Sequence, residues 1–156
     1  MSLIVVGAVP ETLTPMGMNK AGPSQPVDPS GVPVRLTQWT ARPEFPGTII
    51  SPRAELLPNG SGIVTVHCGV QLAGVWSSVG SLVVDVMKNE EIVVSGQFQS
   101  MTNLLELSAP AVSVAPGDRL WVRIGLQALF GGITVTAGAN TYLYYDLSRA
   151  RGRATN

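Results

Sequence analysis

From about residue 32 the apolar positions recur every second residue. Over 63–72, Val64, Val66, Cys68, Val70 and Leu72 fall on one face, and Ile63, Thr65, His67, Gly69 and Gln71 on the other. That alternation predicts a strand with one buried face. Leu82, Val84 and Val86 repeat it, with Asp85 opposite. A polar turn, Lys88-Asn89-Glu90-Glu91, then leads into Ile92-Val93-Val94, which predicts a hairpin. Leu120, Val122, Ile124 and Leu126 alternate with Arg119, Trp121 and Arg123. Ile133–Thr136 and Thr141–Leu147 supply two more strands between Gly-rich turns. Weaker strands near Val32–Leu36 and Thr48–Leu57 complete the first sheet. No window has the 3.6-residue period of an amphipathic helix. The expected fold is all-β, a jelly-roll-like antiparallel β-sandwich of about eight or nine strands.

Proline changes the picture at the N-terminus. Nine of the 12 prolines lie in the first 52 residues. Each removes a backbone donor and fixes φ, so residues 10–33 are expected to form neither a helix nor a central strand. The expected organisation is an extended Pro-rich N-terminal arm over residues 1–35, a sandwich over 36–148 and a basic C-terminal tail over 149–156. The arm has polyproline character and an apolar tip, Leu3-Ile4-Val5-Val6. That tip is suited to adding a strand to a neighbour's sheet.

The 156 residues suit one domain plus an arm, and 45% hydrophobic content supplies a core. Ten basic residues balance ten acidic ones, and charged residues make up only 13%. This excludes a generally basic nucleic-acid binder. It also suggests that much of the surface meets other protein. One Cys excludes an internal disulfide framework, and one His excludes a multi-His metal site. Leu3–Val6 is too short and too soon broken, by Gly7 and Pro10, for a secretory signal or a membrane helix. The expectation is a protein that does not use the secretory route and touches no membrane.

Candidate chemistry is sparse. His67 and Cys68 are adjacent in a strand, so their side chains point to opposite faces and make no nucleophile–base pair. The acids show no metal-binding or paired-carboxylate spacing, and the glycines form no phosphate-binding loop. Asp118 follows Pro116-Gly117 in a turn sequence. No cofactor, metal or catalytic residue is expected. Thr141–Leu147 is the exception: Tyr142 and Tyr144 share one face, and Leu143, Tyr145 and Leu147 the other. A strand apolar on both faces points to a subunit interface at Tyr142, Tyr144 and Tyr145, with Leu3, Ile4, Val5 and Val6 as a second contact.

Two resemblances follow from these residues. Lys88-Asn89-Glu90-Glu91-Ile92-Val93, then Ala115-Pro116-Gly117-Asp118-Arg119-Leu120-Trp121-Val122, then Thr141-Tyr142-Leu143-Tyr144-Tyr145 resemble complement-type globular heads and tumour-necrosis-factor-like jelly rolls. Glu90 stands here where those domains carry Gly. The resemblance implies a jelly roll that assembles as a trimer. Trp39-Thr40-Ala41-Arg42-Pro43-Glu44-Phe45-Pro46-Gly47-Thr48 and Asn140-Thr141-Tyr142-Leu143 resemble small minor tail proteins of tailed bacteriophages, particularly those infecting actinobacteria. Phe45 replaces that family's Tyr, and Tyr144 its usual basic residue. This resemblance implies a non-enzymatic virion component, made in the bacterial cytoplasm and partnered by other tail or capsid proteins. Capsid decoration is the alternative. A carbohydrate-binding module with Trp76 or Trp121 as stacking platform, or a hydrolase, are the remaining classes.

Overall fold

The computed structural model describes residues 12–28, 30–73, 80–99, 102–128 and 133–147. Among them are strands β1 Met16–Lys20, β2 Gln25–Pro26, β3 Val34–Arg35, β4 Trp39–Ala41, β5 Gly62–Ala73, β6 Gly80–Lys88, β7 Glu91–Gln97, β8 Leu104–Val114, β9 Leu120–Ala128, β10 Thr134–Val135 and β11 Gly138–Leu147. They form two sheets with antiparallel pairing throughout. The larger runs β4-β1-β11-β5-β8, with β10 and β2 continuing from the end of β5. The smaller runs β3-β9-β6-β7. The chain passes from one sheet to the other after β2, β3, β5, β7, β8 and β9. This is the expected jelly-roll-like sandwich.

The period-two residues close the core. Val64, Val66, Cys68, Val70 and Leu72 of β5 face Leu82, Val84 and Val86 of β6 and Leu120, Val122, Ile124 and Leu126 of β9, all buried. The polar turn forms the expected β6–β7 hairpin, closed by the pair Lys88↔Glu91. Asn89 enters the left-handed region at φ 57, which Asn tolerates better than most residues. Its side chain ties the hairpin to the start of β9. Oδ1 accepts from the Arg119 amide at 3.0 Å, and Nδ2 donates to Asp118 Oδ1 at 3.1 Å. Asp118 closes its own turn by accepting from the Ala115 amide at 2.9 Å.

The extended arm is corrected over its described part. Met16–Lys20 lies between β11 and β4, with Met16 and Met18 fully buried. Proline disrupts a ladder only where it stands, and residues 16–22 contain none. Pro15 sits just ahead of β1, and Pro26 lies in the short edge strand β2, positions a sheet accepts. The described residues between 12 and 35 therefore belong to the sandwich, and the boundary at 35 is misplaced. The strand expected over Thr48–Leu57 is also corrected. The segment folds back on itself, with Ala54 at φ 64 and only single bridges, Ile50↔Leu56 and Leu56↔Leu120. Conversely, β8 has no clear signal in the sequence. Pro110 interrupts it, and Ala111 takes φ 59 where the register slips against β5. It is an edge strand with a bulge, the setting in which a sheet admits proline.

Candidate interaction face

The outer face of the larger sheet gathers a cluster of aromatic side chains. β11 carries Tyr142 and Tyr144 outward, and β5 carries His67 directly across from Tyr144 and Gly69 across from Tyr142. The loop after β4 brings Arg42 and Phe45 over the same strands. The Tyr144 ring stacks on His67 at 4.6 Å and on Phe45 at 5.8 Å, and meets Tyr142 at 5.5 Å. The Arg42 guanidinium lies 4.9 Å from the Tyr142 ring and 5.0 Å from the Tyr144 ring, within cation–π range.

Glycine makes room for this layer. A Cβ on Gly69 would run into the Tyr142 ring, and one on Gly17 would lie 2.8 Å from the Phe45 ring. The Tyr142 ring lies across Gly69, and its hydroxyl donates to Glu106 on β8 at 3.1 Å. Burial and that carboxylate push the Tyr142 hydroxyl pKa well above its ordinary value. Arg42 donates to Asn19 Oδ1 at 3.0 Å and to Glu44 at 3.4 Å. The Gly17 amide donates to Thr48 Oγ1 at 2.9 Å, which fixes the loop that carries Phe45.

Two polar atoms in this layer are enclosed without a hydrogen-bond partner: Arg42 Nε and His67 Nε2. The latter is 3.4 Å from Asp146 Oδ2, at ion-pair distance but without hydrogen-bond geometry. Ile63, 49% exposed, and Leu104, 42% exposed, extend the apolar surface at the two ends of β5 and β8. The face combines aromatic rings, aliphatic groups and an Arg, the residue types that concentrate binding energy in protein interfaces.

The structure brings Tyr142 and Tyr144 together as expected and separates Tyr145 from them. Tyr145 points inward with Leu143 and is fully buried within its own chain, so it is no part of a surface. Burial pushes its hydroxyl up to about 12. Leu3, Ile4, Val5 and Val6 lie outside the described residues, as does Trp76. Trp121 is engaged internally: Nε1 donates to Asn89 O at 2.8 Å, and the Arg35 guanidinium covers its ring at 3.8 Å. Cys68 faces the interior while His67 faces out. Burial raises the thiol to about 12, so no thiolate is available at neutral pH. Arg42, Phe45, Gly17, Gly69 and Glu106 were not indicated as members of the face. Arg42 and Phe45 stand in the Trp39–Thr48 motif, the one signal that could have found them.

Elsewhere the charged side chains serve the fold. Glu55, its side chain 3% exposed, accepts from Arg119 at 3.1 Å, Arg35 at 3.2 Å and Ser51 at 2.9 Å. Burial alone would raise its pKa, but the Ser51, Arg35 and Arg119 bonds outweigh it and hold the carboxyl below its ordinary value. Lys20 is buried, donates from Nζ to Thr37 O at 2.7 Å, and has its pKa lowered by desolvation. Among the described residues no group of three or more His, Cys, Asp or Glu is placed to hold a metal, and no helix is long and apolar enough to cross a membrane.

The two sheets and their strand order define a tumour-necrosis-factor-like jelly roll. The chain is similar to a solved structure described as "Structure of Eiger TNF from S. frugiperda", with a TM-score of 0.57 over 92% of this chain and 98% of that one. At 12% identity the likeness is one of fold. No protein-family model and no curated protein matches the chain.

Proposed function

We propose that this protein is a non-enzymatic structural component of a bacteriophage virion, a minor tail protein that assembles as a homotrimer through the outer face of its larger sheet. The observation that carries the reading is the Tyr142–Tyr144–His67–Phe45–Arg42 layer, an aromatic surface on a glycine floor flanked by exposed Ile63 and Leu104. Contiguous apolar surface of this kind marks an interaction site. The Trp39–Thr48 segment, which carries the resemblance to phage tail proteins, is also the segment that places Arg42 and Phe45 in the layer. That coincidence supports reading the motif as an assembly element. The inward thiol and outward imidazole favour assembly over chemistry as the role of this strand.

Sedimentation of intact particles, followed by separation of heads from tails, tests the assignment. The protein is expected with the tails. Recovery with the heads would make it a capsid decoration protein, and absence from particles would overturn the virion role. Sedimentation equilibrium tests the trimer: a monomeric mass at micromolar concentration contradicts it.

A further inference from the structure

The free edge of β8 offers a second contact. Among the described residues β8 pairs only with β5, so alternate N–H and C=O groups along its other side have no strand partner, although Leu107 packs inward against Gly96 of β7. Sheets usually protect such an edge with charges, proline or a bulge. Pro110 and Ala111, at φ 59, protect the C-terminal half. The half from Leu104 to Ala109 has one charged residue, Glu106, and begins with the exposed Leu104.

The described chain begins near the opposite end of β8, across β5 from that edge. Leu13 packs on Gly60 and Gly62, and Gly62 pairs with Val114 at the end of β8. Two hydrogen bonds with Asn59 hold the exit in place: the Thr14 amide donates to Asn59 Oδ1 at 3.1 Å, and Asn59 Nδ2 donates to Thr14 Oγ1 at 2.7 Å. Residues 1–11 precede that point and contain the β-prone run Leu3-Ile4-Val5-Val6. We infer that Leu3–Val6 of one copy adds a strand to the free edge Leu104–Ala109 of a neighbouring copy. The inference rests on the self-assembly proposed above.

Reach favours the neighbour over the same chain. Val6 lies six residues before Thr12, a span of about 20 Å when fully drawn out. Reaching Ala109 of its own chain requires about 17 Å along β8 and about 10 Å sideways across two strand spacings. The direct distance is then about 20 Å, leaving no slack, and Pro10 shortens the path toward about 3.1 Å per residue. The strand would also have to run parallel to β8 and pass the bulge. A neighbour's edge admits an antiparallel ladder, which is the more stable pairing.

The test joins two differently marked chains, each carrying Cys68→Ala. One bears Val5→Cys and the other Ser108→Cys, and they are co-expressed and oxidised. A disulfide between the two chains is expected. It should form several-fold more than between the Val5→Cys chain and a Thr40→Cys chain, whose thiol stands on β4 at the far edge of the sheet. Equal yields, or a doubly substituted chain that closes only on itself, overturn the inference. A second readout needs no thiol: in the assembled full chain, Val5→Pro should speed hydrogen exchange of the outward amides in 104–109 about tenfold. Unchanged exchange counts against the added strand. A protein that stays monomeric defeats the self-assembly reading itself, whereas a trimer without the cross-link or the protection defeats only this inference.

Discussion

Met18→Ala tests whether β1 is core or arm. Met18 is fully buried and stands between Leu143 on β11 and Ala41 on β4. Truncating a buried Met to Ala costs about 2–5 kcal/mol, depending on how far the surroundings collapse into the space. Here β1 is hydrogen-bonded on both sides, so it cannot shift inward without breaking a ladder. The expected loss is therefore in the upper half of that range, about 3.5–5 kcal/mol. For a domain of this size that lowers Tm by about 7–20 °C. It also moves the urea midpoint by about 1–2 M with the slope unchanged. Val32→Ala, at a 60% exposed position, is the control, expected within about 0.5 kcal/mol of the parent. Urea unfolding followed by tryptophan fluorescence, at one fixed protein concentration, measures both. A Met18→Ala loss below about 1 kcal/mol would show that β1 contributes little to the core, and that residues 12–35 behave as an arm after all.

Tyr144→Asp should disrupt assembly in sedimentation equilibrium while leaving near-UV circular dichroism native; unaltered mass would remove the aromatic layer from the interface. Gly69→Val should displace the Tyr142 ring from its floor and weaken assembly more than Gly47→Val, where a Cβ meets nothing within 4 Å. Glu55→Gln bears on pH. The folded-state pKa of Glu55 is depressed, so its contribution is present above the unfolded value of about 4.3 and fades as pH falls through the folded value. The parent should lose stability relative to Glu55→Gln as pH drops from about 5 to 3; parallel pH–stability curves would contradict this. Cys68→Ala should cost about 1–2 kcal/mol, and Cys68 should react with a thiol reagent only on unfolding. Reaction with the native protein at the rate of a free thiol would place Cys68 elsewhere than the core.

Alternation makes one side of this fold legible. Val64 to Leu72, Leu82 to Val86 and Leu120 to Leu126 each present a single apolar face, and each buries it. Alternation fails where both faces are apolar. Nothing local in Thr141–Leu147 says that Leu143 and Tyr145 go inward while Tyr142 and Tyr144 stay out. That choice is made by the register with β5, which sets Tyr144 beside His67 and Tyr142 beside Gly69. Proline density is a property of a segment, but proline exclusion is a property of a residue, so the seven proline-free positions 16–22 hide a strand inside a Pro-rich stretch. β8 is obscured for a related reason, because an edge strand tolerates the Pro110 that a central strand would not. The positions of Arg42 and Phe45 depend on a loop held by Gly17 and Thr48, partners separated by 31 residues, and no local pattern encodes such a contact.

The placement of β1 also sets how the molecule bears load. Met16 lies opposite Tyr145, and Lys20 opposite Gly138, so the described chain enters and leaves the sandwich at the same end. Tension between those two ends peels β1 from β11 like a zipper, one hydrogen-bonded pair at a time, and meets little resistance. Tension on the N-terminal end alone, with the body held by its sheet face, pulls β1 lengthwise against β11 and β4 together. Every bond of both ladders is then stretched at once. The same strand is a weak seam under the first pull and a strong cleat under the second, and a tether through residues 1–11 with the sheet face fixed is the arrangement that uses the strong direction.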